Sequence, residues 1–190
     1  LGAAMLWVGW FGFNAGSELL SDHLTSSAFA VTHFSAAAGV LGWALYEWLT
    51  TGKPSVLGAA SGAVAGLVCI TPAAGFVQPM PALIMGFAAG IICALACGSL
   101  KGHFRYDDSL DAFGVHGVRG PLGAVLTGVF ATRACWNIAG TEKLGLIEGG
   151  GIMPGQLAAV GVTWVFSIVA TFIILKVVDV VVGLRVSSTD

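Results

Sequence analysis

Charge is what this chain has least of. Only 9% of its 190 residues are charged, eight Lys and Arg against ten Asp and Glu, where a soluble domain carries roughly 25%. The formal net charge is −2 and no basic tract occurs, which argues against a nucleic-acid surface. No glycine-rich phosphate loop, nucleophile–base pair or metal-ligand set is present, so the chain does not read as an enzyme and implies no cofactor. Cysteine is sparse, at Cys69, Cys93, Cys97 and Cys135. The first three lie in apolar runs and read as small buried hydrophobes. Cys93 and Cys97 are one helical turn apart, but no histidine pair accompanies them. No charged leader or small-residue cleavage site precedes the first apolar run, so no signal peptide is expected. The chain opens at Leu1 already inside that run, and a missing N-terminal part is expected.

What fills the sequence is apolar: 56% hydrophobic residues and a mean hydropathy of +0.90. A membrane-spanning helix needs about 20 mostly apolar residues. Six such stretches can be drawn: 1–17, 24–46, 55–70, 82–100, 110–131 and 156–182. Thr71, Pro72, Gly75, Pro79 and Pro81 break the long uncharged run between the third and fourth. The expected fold is an all-α polytopic membrane protein, a bundle of six transmembrane helices. An even number of spans puts both ends on one side. Lys53, Lys101, Arg105, Lys176 and Arg185 share that side, with Arg133 and Lys143 opposite. The positive-inside rule makes the richer side cytoplasmic, with the C-terminus there. Gly58, Gly62 and Gly66, and Gly86 and Gly90, recur every four residues and predict close helix packing.

One histidine draws attention. His116 sits in an apolar, glycine-rich stretch, where an ionisable side chain is costly and marks a candidate functional site. A regular helix puts Ala112, Phe113, Gly120 and Gly123 on its face. The plainer alternative is a packing histidine that bridges two helices. In the first span, Trp10, Phe13 and Ser17 follow one helical face. An indole, a phenyl ring and a hydroxyl suit a small monovalent cation; an interfacial aromatic belt is the alternative. Taken with a buried neutral base, this face outlines a path that favours a solute able to shed its proton. Ammonium can do so; sodium and potassium cannot.

Four segments carry a resemblance: WFGFNAGSE, EWLTTGKPSVLGAASGAVAGLVCITPAAGFV, YDDSLDAFGVHGV and VVGLRV. In order and spacing they resemble the second half of the ammonium transporter family (Amt/Mep/Rh), over nearly the whole chain. The resemblance implies an eleven-helix inverted-repeat fold. Residues 1–190 would be a single transmembrane domain fragment, the second five-helix half plus the final long helix, with the N-terminal half missing. It implies a homotrimer in the cell (plasma or inner) membrane with one hydrophobic pore per protomer. Ser17 would belong to the outer recruitment site, Phe13 to the aromatic gate, Trp10 to the pore wall, and His116 to a twin-histidine pair. Ammonium or ammonia, and methylammonium, would be the substrate. A PII-type regulator would act on a cytoplasmic tail mostly absent here. An ammonium sensor on the same fold, or a generic pore for neutral gas or water, are the alternatives.

Other polar residues have structural expectations. Asp107, Asp108 and Asp111 precede the fifth span, where carboxylates suit a helix N-terminus; Asp111 is expected to be partly buried. His33 is expected to act as a helix-packing donor. Arg119 departs from the family's usual glycine. A mid-span arginine costs about 2.5–3.5 kcal/mol on insertion scales. Arg119 is therefore expected to face the interior and to bond a carboxylate or the carbonyls freed by Pro121, with consequences for pore electrostatics.

Overall fold

The computed structural model describes residues 1–100, 113–135 and 144–184. Its described elements are helical. Helix α1 covers Gly2–Asn14, α2 His23–Thr51, α3 Val56–Ile70, α4 Pro79–Leu95, α5 Arg119–Phe130 and α6 Met153–Val181. Four stretches are long and apolar enough to cross a membrane: His23–Thr51, Val56–Ala73, Pro79–Gly98 and Met153–Val181. The chain is thus a multi-pass membrane protein.

Local chemistry sets the boundaries. Asp22 caps α2, its carboxylate accepting from the Leu24 and Thr25 amides at 2.9 and 3.0 Å. The Thr25 amide is the main cause, with Leu24 adding to it, of an Asp22 carboxyl held below the usual carboxylate range. Ser55 caps α3 through Gly58 N at 2.8 Å. Gly52, at φ 81°, ends α2 in the left-handed region that glycine adopts without penalty. Helix α2 runs past the expected end at Tyr46 because Glu47 finds partners there. Its carboxylate accepts from the Trp43 indole, the Ser55 hydroxyl and the Ser55 amide.

Helices α2, α3 and α4 form the packed centre, with Val31, Ala65, Cys69, Ile70, Met85, Ala89 and Cys93 buried between them. A Cβ on Gly66 of α3 would stand 2.1 Å from the Ser35 carbonyl oxygen, and so would one on Gly86 of α4. Both four-residue glycine repeats therefore turn their narrow faces to α2, as small residues do where helices approach in lipid. Ser35 adds a hydroxyl bond to the Gly66 carbonyl at 2.9 Å.

Two expected spans differ. The first is a helix of 13 residues that ends at Asn14 and passes into a 3-10 turn at Gly16–Glu18. The fifth is not one continuous α-helix. A π-type turn at Phe113–Gly117 precedes α5, which begins at Arg119. Helix α6 buries none of its side chains and is apolar all round, the signature of a helix surrounded by lipid or by further protein.

Candidate functional site

The end of α1 gathers its polar groups on one cavity. Trp10 stands edge-on to Phe13, rings 5.7 Å apart at 83°. Its indole N–H donates to the Thr71 hydroxyl at 2.8 Å, and Thr71 donates onward to the Leu67 carbonyl at 2.8 Å. Asn14 donates to Thr32 at 3.0 Å. These bonds pin the last turn of α1 to α2 and to the start of the break after α3. Beside them lies a cavity of about 230 Å³ lined by Phe13, Asn14, Ser17, Glu18, Thr71 and Phe76, among others.

The Ser17 hydroxyl donates to the Phe13 carbonyl. With its proton so placed, Ser17 Oγ offers only lone pairs to the cavity. Glu18, half-buried, adds a carboxylate. A wall of acceptors with a phenyl ring beside it suits a small cation that donates hydrogen bonds. The sequence reading singles out Phe13 and Ser17 but not Glu18. The signal that could have found it is position: Glu18 directly follows Ser17.

His116 lies elsewhere, in the π-type turn before α5. It faces a groove of about 810 Å³ between that turn and α6. Phe113, Gly117 and Gly120 share its wall, with Thr163, Trp164 and Ser167 opposite. The two sites have no lining residue in common. Phe113 and Gly120 thus share the histidine's face as expected. Gly123 does not: a Cβ there would meet the Cys69 carbonyl at 2.2 Å, so it packs against α3. The π-type turn changes the angular register, so helical spacing from His116 no longer predicts who its neighbours are. Ala112 and Asp111, with Asp107 and Asp108, lie outside the described residues.

Arg119 is buried, as expected, and among the described residues its partners are not the expected carboxylate or carbonyls. Its guanidinium bonds the Cys93 sulfur and lies 5.9 Å over the Trp43 ring. Nε and Nη1 have no hydrogen-bond partner among the described residues. No carboxylate or carbonyl bonds it there. The expectation of freed carbonyls assumed a helix running through Gly117. Since α5 starts at Arg119, Pro121 falls in its first turn, where no intrahelical donor is required. His33 also differs: it is exposed and contacts the rings of Trp7 at 5.3 Å and Phe11 at 6.0 Å, with no hydrogen bond among the described residues.

The family profile described as the Ammonium Transporter Family matches residues 1–190, the whole chain. This chain belongs to the ammonium transporter family. It is 47% identical over 191 residues to the ammonium transporter of Bacillus subtilis, covering 100% of this chain and 46% of that protein. It is 43% identical to ammonium transporter Amt1 of Archaeoglobus fulgidus over 190 residues, again 100% of this chain and 47% of the relative. The crystal structure of Candida albicans Mep2 superimposes with a TM-score of 0.90 at 37% identity, covering 99% of this chain and 42% of that one. A structure titled Sensor Amt Protein gives a TM-score of 0.85 at 27% identity, over 98% of this chain and 44% of the other. The chain thus spans about half the length of the curated relatives it matches. The family is one of transporters rather than enzymes.

Proposed function

We propose that residues 1–190 supply the second half of a protein that moves ammonium or ammonia across a membrane. The acceptor-lined cavity at the end of α1 carries this reading. Ser17 Oγ, with its proton committed to Phe13, and the Glu18 carboxylate would take hydrogen bonds from an ammonium ion. Phe13, 59% exposed at the edge of this cavity, would be the gating ring, and Trp10, braced by Thr71, the pore wall beneath it. His116 would be the pore histidine that receives or relays the proton ammonium gives up. Its exposed ring and open groove suit a second histidine brought by the remainder of the protein, since two facing imidazoles fix each other's tautomers. Buried Arg119 would bias the local potential against a second positive charge. Inner- or plasma-membrane placement, a cytoplasmic C-terminus, a homotrimer and a PII-type regulator belong to the same proposal.

The test is methylammonium uptake by the full protein in proteoliposomes. Ser17→Ala should raise KM, and His116→Ala should abolish or uncouple transport. Uptake unchanged in rate and ion selectivity by His116→Ala would falsify the pore assignment. The likeness to a structure titled as a sensor favours a second reading, ammonium sensing on the same fold. Saturable ammonium binding without flux in the intact protein would establish it.

A further inference from the structure

We propose that Cys93 and Cys97 form a peroxide-sensitive dithiol whose closure to a disulfide reshapes the turn carrying His116. The two sulfurs are 3.5 Å apart on successive turns of one helix. That is van der Waals contact, roughly 1.5 Å longer than an S–S bond. Residues four apart on a helix have Cα atoms about 6 Å from each other, within the range a disulfide spans. At Ala96 the backbone leaves α geometry for a wider π-type turn, Ala96–Leu100, so Cys97 sits where the helix is already loosened.

Two independent observations give this pair a chemical role. The first is Arg119, fully buried, with one nitrogen on Cys93 Sγ and Nε and Nη1 unpaired among the described residues. A guanidinium held against Cys93 Sγ stabilises the negative charge that this sulfur carries while it attacks an oxidant. The second is Gly114, two residues before His116. The protonated Cys93 thiol is placed to donate to the Gly114 carbonyl at 3.4 Å. A Cβ on Gly114 would stand 2.7 Å from Cys97 Sγ. Both sulfurs therefore support the turn that holds the histidine, and drawing them together withdraws that support.

The oxidant is hydrogen peroxide, which is small and uncharged enough to reach a site among apolar helices. The Cys93 thiolate attacks one peroxide oxygen. The O–O bond breaks, and the departing hydroxide takes up a proton and leaves as water. Cys93 is then a sulfenic acid. The Cys97 thiol attacks that sulfur, the S–S bond forms, and the sulfenic oxygen leaves as a second water with the thiol proton. Two thiols and one peroxide thus give one disulfide and two waters; sulfur is oxidised and oxygen reduced. An added dithiol reverses the step by exchange.

Formation of the bond does not depend on the transport reading; its effect on flux does. The experiment treats the full protein in proteoliposomes with hydrogen peroxide, then alkylates it with a maleimide and maps peptides by mass. The peptide holding both cysteines should lose two hydrogens and resist alkylation until dithiothreitol is added. Methylammonium flux should fall with it and return with the reductant. Cys93→Ser and Cys97→Ser should keep the flux of the reduced protein and lose the peroxide response. The proposal is overturned if both thiols remain alkylatable after a peroxide dose that oxidises exposed methionines, or if the disulfide forms and flux is unchanged. Should the reduced protein carry no flux, the transport reading fails, while the alkylation readout still decides the dithiol.

Discussion

A carboxylate at position 18 adds a full negative charge to a cavity whose other acceptors are neutral. At about 4 Å in a watery setting, one charge on a cation is worth on the order of 1 kcal/mol, about fivefold in affinity. Glu18→Gln should therefore raise the methylammonium KM about fivefold with little change in Vmax. The same substitution should blunt the rise of KM with ionic strength, because that charge is within reach of salt. Glu18→Asp should keep most of the effect. A Glu18→Gln protein with unchanged KM at low salt would remove this carboxylate from the cavity's chemistry. Asp22 acts differently, through folding. Its carboxyl is held below the usual range, first by the Thr25 amide, so the ionised form is favoured in the folded protein. The stability it contributes is present above the ordinary carboxylate pKa and is lost as pH falls through the lower, folded one. Asp22→Ala should lower the thermal midpoint in detergent at pH 7 and flatten its decline toward acid.

At the scale of the helix, the glycines separate into two kinds that composition cannot tell apart. Gly66 faces the Ser35 carbonyl so closely that an added methyl must move backbone, whereas Gly161 of α6 has nothing within 4 Å of its missing Cβ. Overpacking a close contact costs about 1–3 kcal/mol or more. Gly66→Ala should therefore lower the unfolding midpoint measurably, and Gly161→Ala should leave it unchanged or slightly higher, since alanine is the better helix former. The repeats at Gly58–Gly66 and Gly86–Gly90 made this packing legible in the sequence, and the proline cluster at 72–81 made the α3–α4 break legible. Other features were not. The π-type turn at Phe113–Gly117 leaves no local mark, because a wider turn uses the same residues as an α-helix. The extension of α2 through Glu47 depends on Ser55, eight residues on and across a bend. The partners of Arg119 lay furthest out of reach: Cys93 is 26 residues away, and a thiol in an apolar run reads as one more hydrophobe.

The molecule as a whole leaves large apolar surfaces uncovered. Among the described residues none of α6 is fully buried, and a groove of about 810 Å³ separates it from the turn that carries His116. The chain also spans 46% of the Bacillus subtilis relative. On the proposed transport function, residues 1–190 reconstituted alone should accordingly show no saturable methylammonium flux and the full-length protein should; flux from the isolated segment at the full-length rate would overturn this expectation. The family was legible because its motifs sit in order along the chain. The pairing of Glu18 with Ser17 in one cavity was not, because it depends on how the chain turns after Asn14.

Ser35 offers one carbonyl oxygen to two glycines on two different helices. Any tilt of α2 must therefore press on α3 and α4 together, and neither can give way without the other. These three helices should travel as one rigid block, so whatever rearrangement the protein undergoes at work is left to α1, to the turn before α5, and to α6.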